Sequence, residues 1–363
     1  DADESLTLSG ALTQSGNITI DVASGKTLTY SGASLFLGAY TLTMSGEGRL
    51  SNSNDLVLNN ASSKILLSNS ITVDSVRTSA ESLGIDVNAN STVSSLYAAY
   101  TTPVSIADGK TLSGAISVGS AGSIKLDEAG TLASTVSMGG GTLDADETLT
   151  LTGALSNSAD ITIDVATGKT LTYSGASLSL GSKTLTMSGG GTLTNNNAFV
   201  LNHPSSKLLL NSITVGNVST SADNSGLDVD DDSTVTSLSV GHTTPVSIAT
   251  GKSLSGAVTV TAGSIKLDEA GTLASTIAMS GGTLDADETS TVSGALTQSG
   301  NITIDVAENK NLTYYAAPIS VGANTLTLSG GGRFGNDDTN IDLNNASSKL
   351  LLDSITVDSV RTS

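Results

Sequence analysis

The residues best suited to chemistry are carboxylates that recur at fixed spacing. The tetrapeptide Asp-Ala-Asp-Glu begins at Asp1, Asp144 and Asp285. Carboxylate oxygens are the ligands that Ca²⁺ prefers in proteins, so these corners are candidate calcium sites. The candidates in the second and third copies are Asp144, Asp146, Glu147, Asp285, Asp287 and Glu288. A turn geometry shared by all copies explains the recurrence equally well, so we predict no metal or other cofactor, with calcium here as the open alternative.

A second acidic group comprises Asp228, Asp230, Asp231 and Asp232. Its counterpart in the first copy is Asp86, Asn88, Ala89 and Asn90, which retains one carboxylate. A required calcium site would not lose three carboxylates between copies. We therefore interpret this group as a charged loop.

The Gly-Lys-Thr triplets at Gly25-Lys26-Thr27 and Gly168-Lys169-Thr170 suggest a phosphate-binding loop. That loop requires a glycine five residues before the Gly-Lys pair. Ile20 and Ile163 occupy those positions, within predicted strands. The triplets are better interpreted as glycine corners that carry a solvated lysine.

Nucleophilic catalysis lacks its usual residues. The chain has no cysteine, and its two histidines, His203 and His242, align with Asn60 and Tyr100 of the first copy. Neither histidine therefore belongs to the repeated pattern, and no Ser-His or Cys-His pair is kept between copies. We predict that the protein is not an enzyme.

Internal repetition organises the whole chain. The segment DADESLTLSGALTQSGNITIDV at Asp1 returns in close variants at Asp144 and Asp285, and SIKLDEAGTLAST begins at both Ser123 and Ser264. The sequence predicts two full repeats, 1–143 and 144–284, and a partial third, 285–363, forming one continuous rod. Residues 359–363 match residues 75–79, which lie within a repeat, so we expect a piece of a longer array.

Short alternating segments within each repeat predict the fold. Leu6-Thr7-Leu8, Leu28-Thr29-Tyr30 and Leu42-Thr43-Met44 alternate apolar and polar residues, and Ser-Gly, Asn-Asn and Gly-Gly turns separate such segments. This period of two indicates half-buried strands. We predict an all-β, right-handed parallel β-helix with about three short strands per coil and roughly 24 residues per coil. Tandem β-sandwich repeats are the alternative, although no linkers separate the repeats.

Composition restricts the function classes. The formal net charge is −19, and only 3% of residues are aromatic, so we expect a core of Leu, Ile and Val in thin layers. Nucleic-acid binding is not expected because it requires clustered Lys and Arg. No apolar run reaches the roughly 18 residues of a membrane-spanning helix, so no membrane insertion is expected.

The runs from Ser188 to Leu193 (SGGGTL) and from Met279 to Leu284 (MSGGTL), with the recurring Gly-Lys-Thr-Leu, resemble the β-solenoid stalks of large bacterial surface proteins. Autotransporter passengers and filamentous-haemagglutinin-type adhesins are similar in style. The resemblance covers the whole chain and implies secretion, display at the cell surface and roles in adhesion, spacing or extracellular fibres.

The expected function is therefore that of a tandem-repeat structural protein in an extracellular or cell-surface fibre, stalk or sheath. Flat strand faces and exposed edges are templates for pairing, so we expect self-association or assembly with other surface-structure subunits. Two alternatives stay open: an adhesin that binds a cell-surface receptor, and a segment of a phage tail fibre.

Overall fold

The computed structural model describes residues 1–336 and 339–362. The chain divides into two compact units. Unit 1 comprises Asp1–Ala176 and Gly191–Thr194, and unit 2 comprises Ser177–Gly190 and the chain from Asn195 onward. This division does not coincide with the predicted repeats, which stay a prediction, and positions 337, 338 and 363 of the third repeat lie outside the described residues.

The strands of unit 1 are short and follow one another closely. In chain order they are β1 (Leu6–Leu8), β2 (Ile18–Asp21), β3 (Thr27–Tyr30), β4 (Leu35–Phe36), β5 (Thr41–Ser45), β6 (Arg49–Asn52), β7 (Leu56–Leu58), β8 (Lys64–Leu67), β9 (Thr72–Thr78), β10 (Gly84–Val87), β11 (Ser91–Ala98), β12 (Thr101–Ile106), β13 (Thr111–Val118), β14 (Ser123–Leu126), β15 (Thr131–Leu132), β16 (Thr135–Met138), β17 (Thr142–Ala145), β18 (Leu149–Leu151), β19 (Leu155–Asn157), β20 (Ile161–Val165) and β21 (Thr170–Tyr173).

These strands stack as a parallel β-helix, which confirms the predicted fold class. One face is the series β2, β5, β8, β10, β12, β14, β17 and β20, in which each strand pairs in parallel with the next. The other face holds two short strands per coil, for example β3 and β4, then β6 and β7. All of these pairings are parallel, whereas a β-sandwich would need antiparallel ones. The tandem-sandwich alternative is therefore wrong.

The coils are shorter and less regular than predicted. One coil advances 24 residues, from Ile18 to its partner Leu42, and another only 19, from Ile85 to Val104. The predicted three strands per coil become two where the short pair merges into the single long strands β9, β11 and β13. Loop residues between strands account for this variation because each coil needs only its strands in register.

Unit 2 is built from the same kind of elements. Its strands are β22 (Leu178–Ser179), β23 (Thr184–Ser188), β24 (Thr192–Asn195, with residues of both units), β25 (Phe199–Leu201), β26 (Lys207–Leu210), β27 (Thr214–Thr220), β28 (Gly226–Val229), β29 (Ser233–Val240), β30 (Thr244–Ile248), β31 (Ser253–Val260), β32 (Ser264–Leu267), β33 (Thr272–Leu273), β34 (Thr276–Met279), β35 (Thr283–Ala286), β36 (Ser290–Val292), β37 (Leu296–Gln298), β38 (Ile302–Val306), β39 (Asn311–Tyr314), β40 (Ile319–Ser320), β41 (Thr325–Ser329), β42 (Arg333–Gly335), β43 (Ile341–Leu343), β44 (Lys349–Leu352), β45 (Thr356–Val357) and β46 (Val360–Thr362).

The coils of unit 2 follow the same plan. One face is the parallel series β23, β26, β28, β30, β32, β35, β38, β41 and β44. Strands β27, β29 and β31 are long, like β9, β11 and β13. Strand β35 spans the predicted repeat boundary, with Leu284 and Ala286 both buried. The coil pattern is therefore continuous through that boundary.

The core consists of columns of inward side chains along successive coils. Leu42, Ile65, Ile85 and Val104 occupy consecutive register positions and are fully buried. Each such burial contributes roughly 1.5–3 kcal/mol. The core consists mainly of Leu, Ile and Val, as expected, but it also contains aromatic rings. Five of the largest buried side chains are Tyr30, Tyr173, Tyr314, Phe199 and Phe334.

A bulge in the long strands depends on a glycine. The register between β11 and β13 shifts between Val93 and Leu96, and Gly114 lies opposite the shift with φ of +120°. A methyl group on Gly114 would lie 1.8 Å from the carbonyl oxygen of Val93. Only glycine fits this approach. Gly256 has the same role opposite Val235 in unit 2.

Residues 1–336 and 339–362 contain no helix that is long and apolar enough to span a membrane.

Candidate functional site

The Asp-Ala-Asp-Glu corner at Asp144 lies beside lysines of both neighbouring coils. The ammonium group of Lys125 is 2.5 Å from Asp146 and 3.8 Å from Asp144. Glu147 pairs at 2.5 Å with Lys169 of the following coil. The corner therefore joins three coils through ion pairs.

The corner at Asp285 repeats this arrangement. Lys266 of the preceding coil is 2.5 Å from Asp287, and Lys310 of the following coil is 2.5 Å from Glu288. In the first copy the pair of the same type joins Glu4 and Lys26 at 2.6 Å. These side chains are partly exposed, so each pair contributes at most about 1 kcal/mol.

In the corners at Asp144 and Asp285, the first aspartate has a raised pKa. Burial, and next the carboxylate of Asp287, raise the pKa of Asp285 to about 6, against the lowering effect of Lys266. Asp285 pairs in register with Asp305 of the next coil, whose charge raises the pKa further. Burial and the carboxylate of Asp146 likewise raise the pKa of Asp144.

Five of the six calcium candidates thus lie within 4 Å of a lysine ammonium group. In the part of the chain that the structure describes, no group of three or more His, Cys, Asp or Glu side chains is arranged to hold a metal ion. Calcium binding at Asp144, Asp146, Glu147, Asp285, Asp287 and Glu288 stays the alternative to the prediction of no metal. What the arrangement does show is electrostatic bracing between successive coils.

The charged loop at Asp228 is held by similar contacts. Lys207 pairs with Asp228, and Lys252 is 2.6 Å from Asp231. Asp232 accepts hydrogen bonds from the backbone N–H and the hydroxyl of Ser253, both at 2.8 Å. The side chains thus bind groups of the neighbouring coils.

Both histidines have local partners. Nδ1 of His203 accepts a hydrogen bond from the N–H of Ser205 at 3.0 Å, and at the equivalent position Oδ1 of Asn60 accepts from Ser62 at 2.9 Å. His203 therefore replaces the asparagine as the acceptor of a turn. His242 lies 3.5 Å from Asp223, an ion pair when the imidazole is protonated.

The Gly-Lys-Thr triplets form corners, as predicted. Gly25 and Gly168 have φ of +71° and +74°. The lysines are not simply solvated, however, because Lys26 and Lys169 are the partners of the corner glutamates. The ion pair requires a glutamate 22 positions earlier, on the preceding coil, which the isolated triplet does not reveal.

Three buried asparagines were missed by the sequence interpretation. Nδ2 of Asn52 donates to the carbonyls of Asn54 and Ser75, and its Oδ1 accepts from the N–H groups of Asp74 and Ser75 at 3.2 Å. Asn195 and Asn336 form the same clamp in unit 2. The available signal was recurrence, since all three asparagines occupy the same repeat position.

Three buried tyrosines were also missed. The hydroxyl of Tyr314 donates to the carbonyl of Ala317 at 2.7 Å and accepts from the N–H of Leu296 at 3.1 Å. Tyr30 and Tyr173 make the same two bonds in their own copies. The hydroxyl thereby satisfies backbone groups of two coils.

No protein-family model, curated protein or solved structure matches this chain.

An arginine–aspartate pair completes the set of contacts between coils. Arg49 lies 2.8 Å from Asp74 on the next coil, and Arg333 lies 2.6 Å from Asp358 at the same repeat position. The second copy has Thr192 and Gly216 at these two positions, so it lacks both partners. At these two positions, the two charged partners are present together or absent together.

Proposed function

We propose that the chain is a structural element of an extracellular fibre, stalk or sheath that associates with further copies or with other surface subunits. The observation that carries this proposal is the repeated clamp between coils at Asn52, Asn195 and Asn336. A coil that is fastened mainly to its neighbours can be added in any number, so length becomes adjustable through the number of repeats.

The contacts of the ionisable residues support the same proposal. The carboxyls of Asp144 and Asp285, whose pKa values are raised, lie beside Lys125 and Lys266 on an outer strand face. Their bonds run between coils. A chain that devotes its recurrent charged residues to bracing is suited to bearing load.

Surface composition favours an extracellular location. The chain has a net charge of −19 and many outward Ser and Thr, and it has no cysteine that requires a reducing compartment. Treating intact cells of the source organism with protease tests this location. The full-length protein is expected to be cleaved from intact cells, and its complete protection until lysis would contradict surface display.

Electron microscopy of the full-length protein tests the structural role. We expect elongated particles that associate laterally or end to end, with a length that scales with the number of long repeats. A variant lacking one complete repeat, residues 144–284, is expected to shorten the particle and leave its width unchanged. Isolated short monomers at every concentration would overturn the proposal.

A further inference from the structure

Exposed aromatic side chains are concentrated in the first repeat. Among residues 1–336 and 339–362, five aromatic side chains are exposed, and four of them are in this repeat. Five exposed apolar residues of the first repeat are replaced by polar ones in the second. Phe36, Tyr40, Leu83, Tyr97 and Tyr100 correspond there to Ser179, Lys183, Ser225, Ser239 and His242. Since the two repeats otherwise follow one plan, this difference belongs to the surface of the first.

Two of these rings belong to one column on the outer face of unit 1. Phe36 pairs in register with Val57, Val57 with Arg77, and Arg77 with Tyr97. We call these four residues the aromatic column. Successive coils lie about 4.8 Å apart, so the column extends roughly 14 Å across four coils. Phe36 is 57% exposed and Tyr97 41%.

The aromatic column is packed before any ligand binds. Val57 points outward by strand alternation, yet it is only 4% exposed. Its counterpart Val200, whose column neighbours are Ser179 and Ser219, is only partly buried. The larger neighbours Phe36 and Arg77 account for the covering of Val57. A continuous, ordered platform loses little side-chain entropy on binding.

Arg77 in this column lacks the carboxylate that its counterpart has. Arg361 occupies the same repeat position and binds Asp342 through two hydrogen bonds of 3.0 and 2.6 Å. In the first repeat Val57 replaces that aspartate, and the guanidinium of Arg77 instead lies 5.5 Å from the centre of the Tyr97 ring. Its N–H groups are therefore not engaged by a carboxylate of the described residues.

Serine residues continue the same line of register positions beyond the aromatic column. Beyond Tyr97 the register passes through Ser117, Ser137 and Ser156, all exposed. From Phe36 to Ser156 the column carries no carboxylate, although the whole chain has a net charge of −19. These register positions offer aromatic rings, guanidinium donors and hydroxyls, and Arg77 is the one charged residue among them.

We propose that the aromatic column binds a neutral polysaccharide that lies along the coil axis. The C–H faces of sugar rings stack on aromatic rings, and sugar hydroxyls pair with guanidinium and serine groups. A sugar ring in an extended chain spans about the same length as the 4.8 Å spacing between successive coils. Successive sugar rings can therefore follow successive residues of the column. A neutral polymer is also not repelled by the acidic chain.

Other occupants fit less well. A cationic protein would find no carboxylate in the column. A second copy fits this column less well because an isologous contact centred on Arg77 would bring two guanidinium groups together. This binding activity goes beyond the structural role proposed above and does not depend on it.

Affinity electrophoresis and calorimetry with the full chain test the proposal. The probes are soluble cello- and chito-oligosaccharides, mannan, dextran and laminarin, with alginate as the anionic comparison. We expect one neutral class to bind. Replacing Phe36→Ser and Tyr97→Ser together is expected to weaken binding by roughly tenfold per ring. Both serines are the native residues of the second repeat, so the variant should keep the fold, as circular dichroism would confirm.

Matched variants separate the column from general surface effects. Tyr315→Ser removes an exposed ring elsewhere and should leave binding unchanged. The triple change Ser179→Phe, Ser219→Arg and Ser239→Tyr builds the column in the second repeat and should add a second site. Failure of every neutral probe, preference for alginate, or loss of dimers rather than of sugar binding in the Phe36 and Tyr97 variant would each overturn the proposal.

Discussion

Asp285 and Asp305 lie side by side on adjacent parallel strands, β35 and β38, and Lys266 pairs in register with Asp285 on the opposite side. Two carboxylates at neighbouring positions repel each other when both are ionised. Lys266 compensates only partly because its ammonium group binds Asp287. Burial and the carboxylate of Asp287 raise the pKa of Asp285 more than Asp305 does, and together these effects make the stability of this part of unit 2 depend on pH.

Replacing Asp285→Asn should stabilise the protein at neutral pH. The folded-state pKa of Asp285 is raised to about 6, so its carboxylate costs stability above pH 6, and stability is regained as the pH falls towards its ordinary value near 3.8. After allowance for solvent screening, the cost at pH 7.5 is about 1 kcal/mol. Urea unfolding followed at pH 7.5 and pH 4.5 measures it. The benefit should be smaller at pH 4.5 and should disappear only below the ordinary pKa of 3.8, and Asp3→Asn on the first corner serves as the control.

The clamp at Asn52 predicts a large loss of stability on truncation. Asn52→Ala leaves two carbonyls and two backbone N–H groups without their partner. Unsatisfied buried groups cost about 1–3 kcal/mol. Asn88→Ala, at an exposed position, should change stability by less than about 0.5 kcal/mol. Equal effects of the two changes on the unfolding midpoint would show that the clamp is not stabilising.

The hydroxyl of Tyr314 should contribute more to stability than the hydroxyl of the neighbouring Tyr315. Tyr314→Phe removes the bonds to Leu296 and Ala317 but keeps the ring that stacks on Phe334 at 5.9 Å. We expect a loss of about 1–2 kcal/mol, measured by thermal unfolding. Tyr315→Phe, at an exposed site in the same turn of chain, is the matched control and should be neutral.

The bulge glycine provides a steric test. Gly114→Ala places a methyl group 1.8 Å from the Val93 carbonyl oxygen and should destabilise unit 1 by about 3 kcal/mol or more. Gly109→Ala shares a positive φ, +69°, but has open space around the new methyl group. It should cost about 1 kcal/mol through backbone strain alone. Comparable losses in the two variants would remove the close approach as the cause.

The parallel β-helix could be predicted from the sequence. Period-two alternation indicated strands, and the long repeats of about 142 residues follow one another without the linkers that tandem sandwiches would need. The sequence did not predict the ion pairs between coils. The pairing of Lys26 with Glu4 depends on a coil of 22 residues, whereas neighbouring coils range from 19 to 24. Loop lengths set those steps, and no periodicity in the residues encodes them.

Polar core residues were missed for a related reason. The polarity of Asn52 suggests a surface position. Its place two residues after the buried Leu50, however, points its side chain into the core. Only its recurrence as Asn195 and Asn336 could have indicated a shared buried role. The aromatic column was hidden differently, because Phe36 and Tyr97 become neighbours only once four coils are in register.

The pairing of Arg49 with Asp74, absent as a pair from the second copy, limits how repeats can be exchanged. A recombination event with its breakpoint between these two positions would leave one charge without its partner, while breakpoints outside that segment would not. An exchange between copies therefore keeps these charges matched only when it carries both positions, which lie 25 residues apart on neighbouring coils.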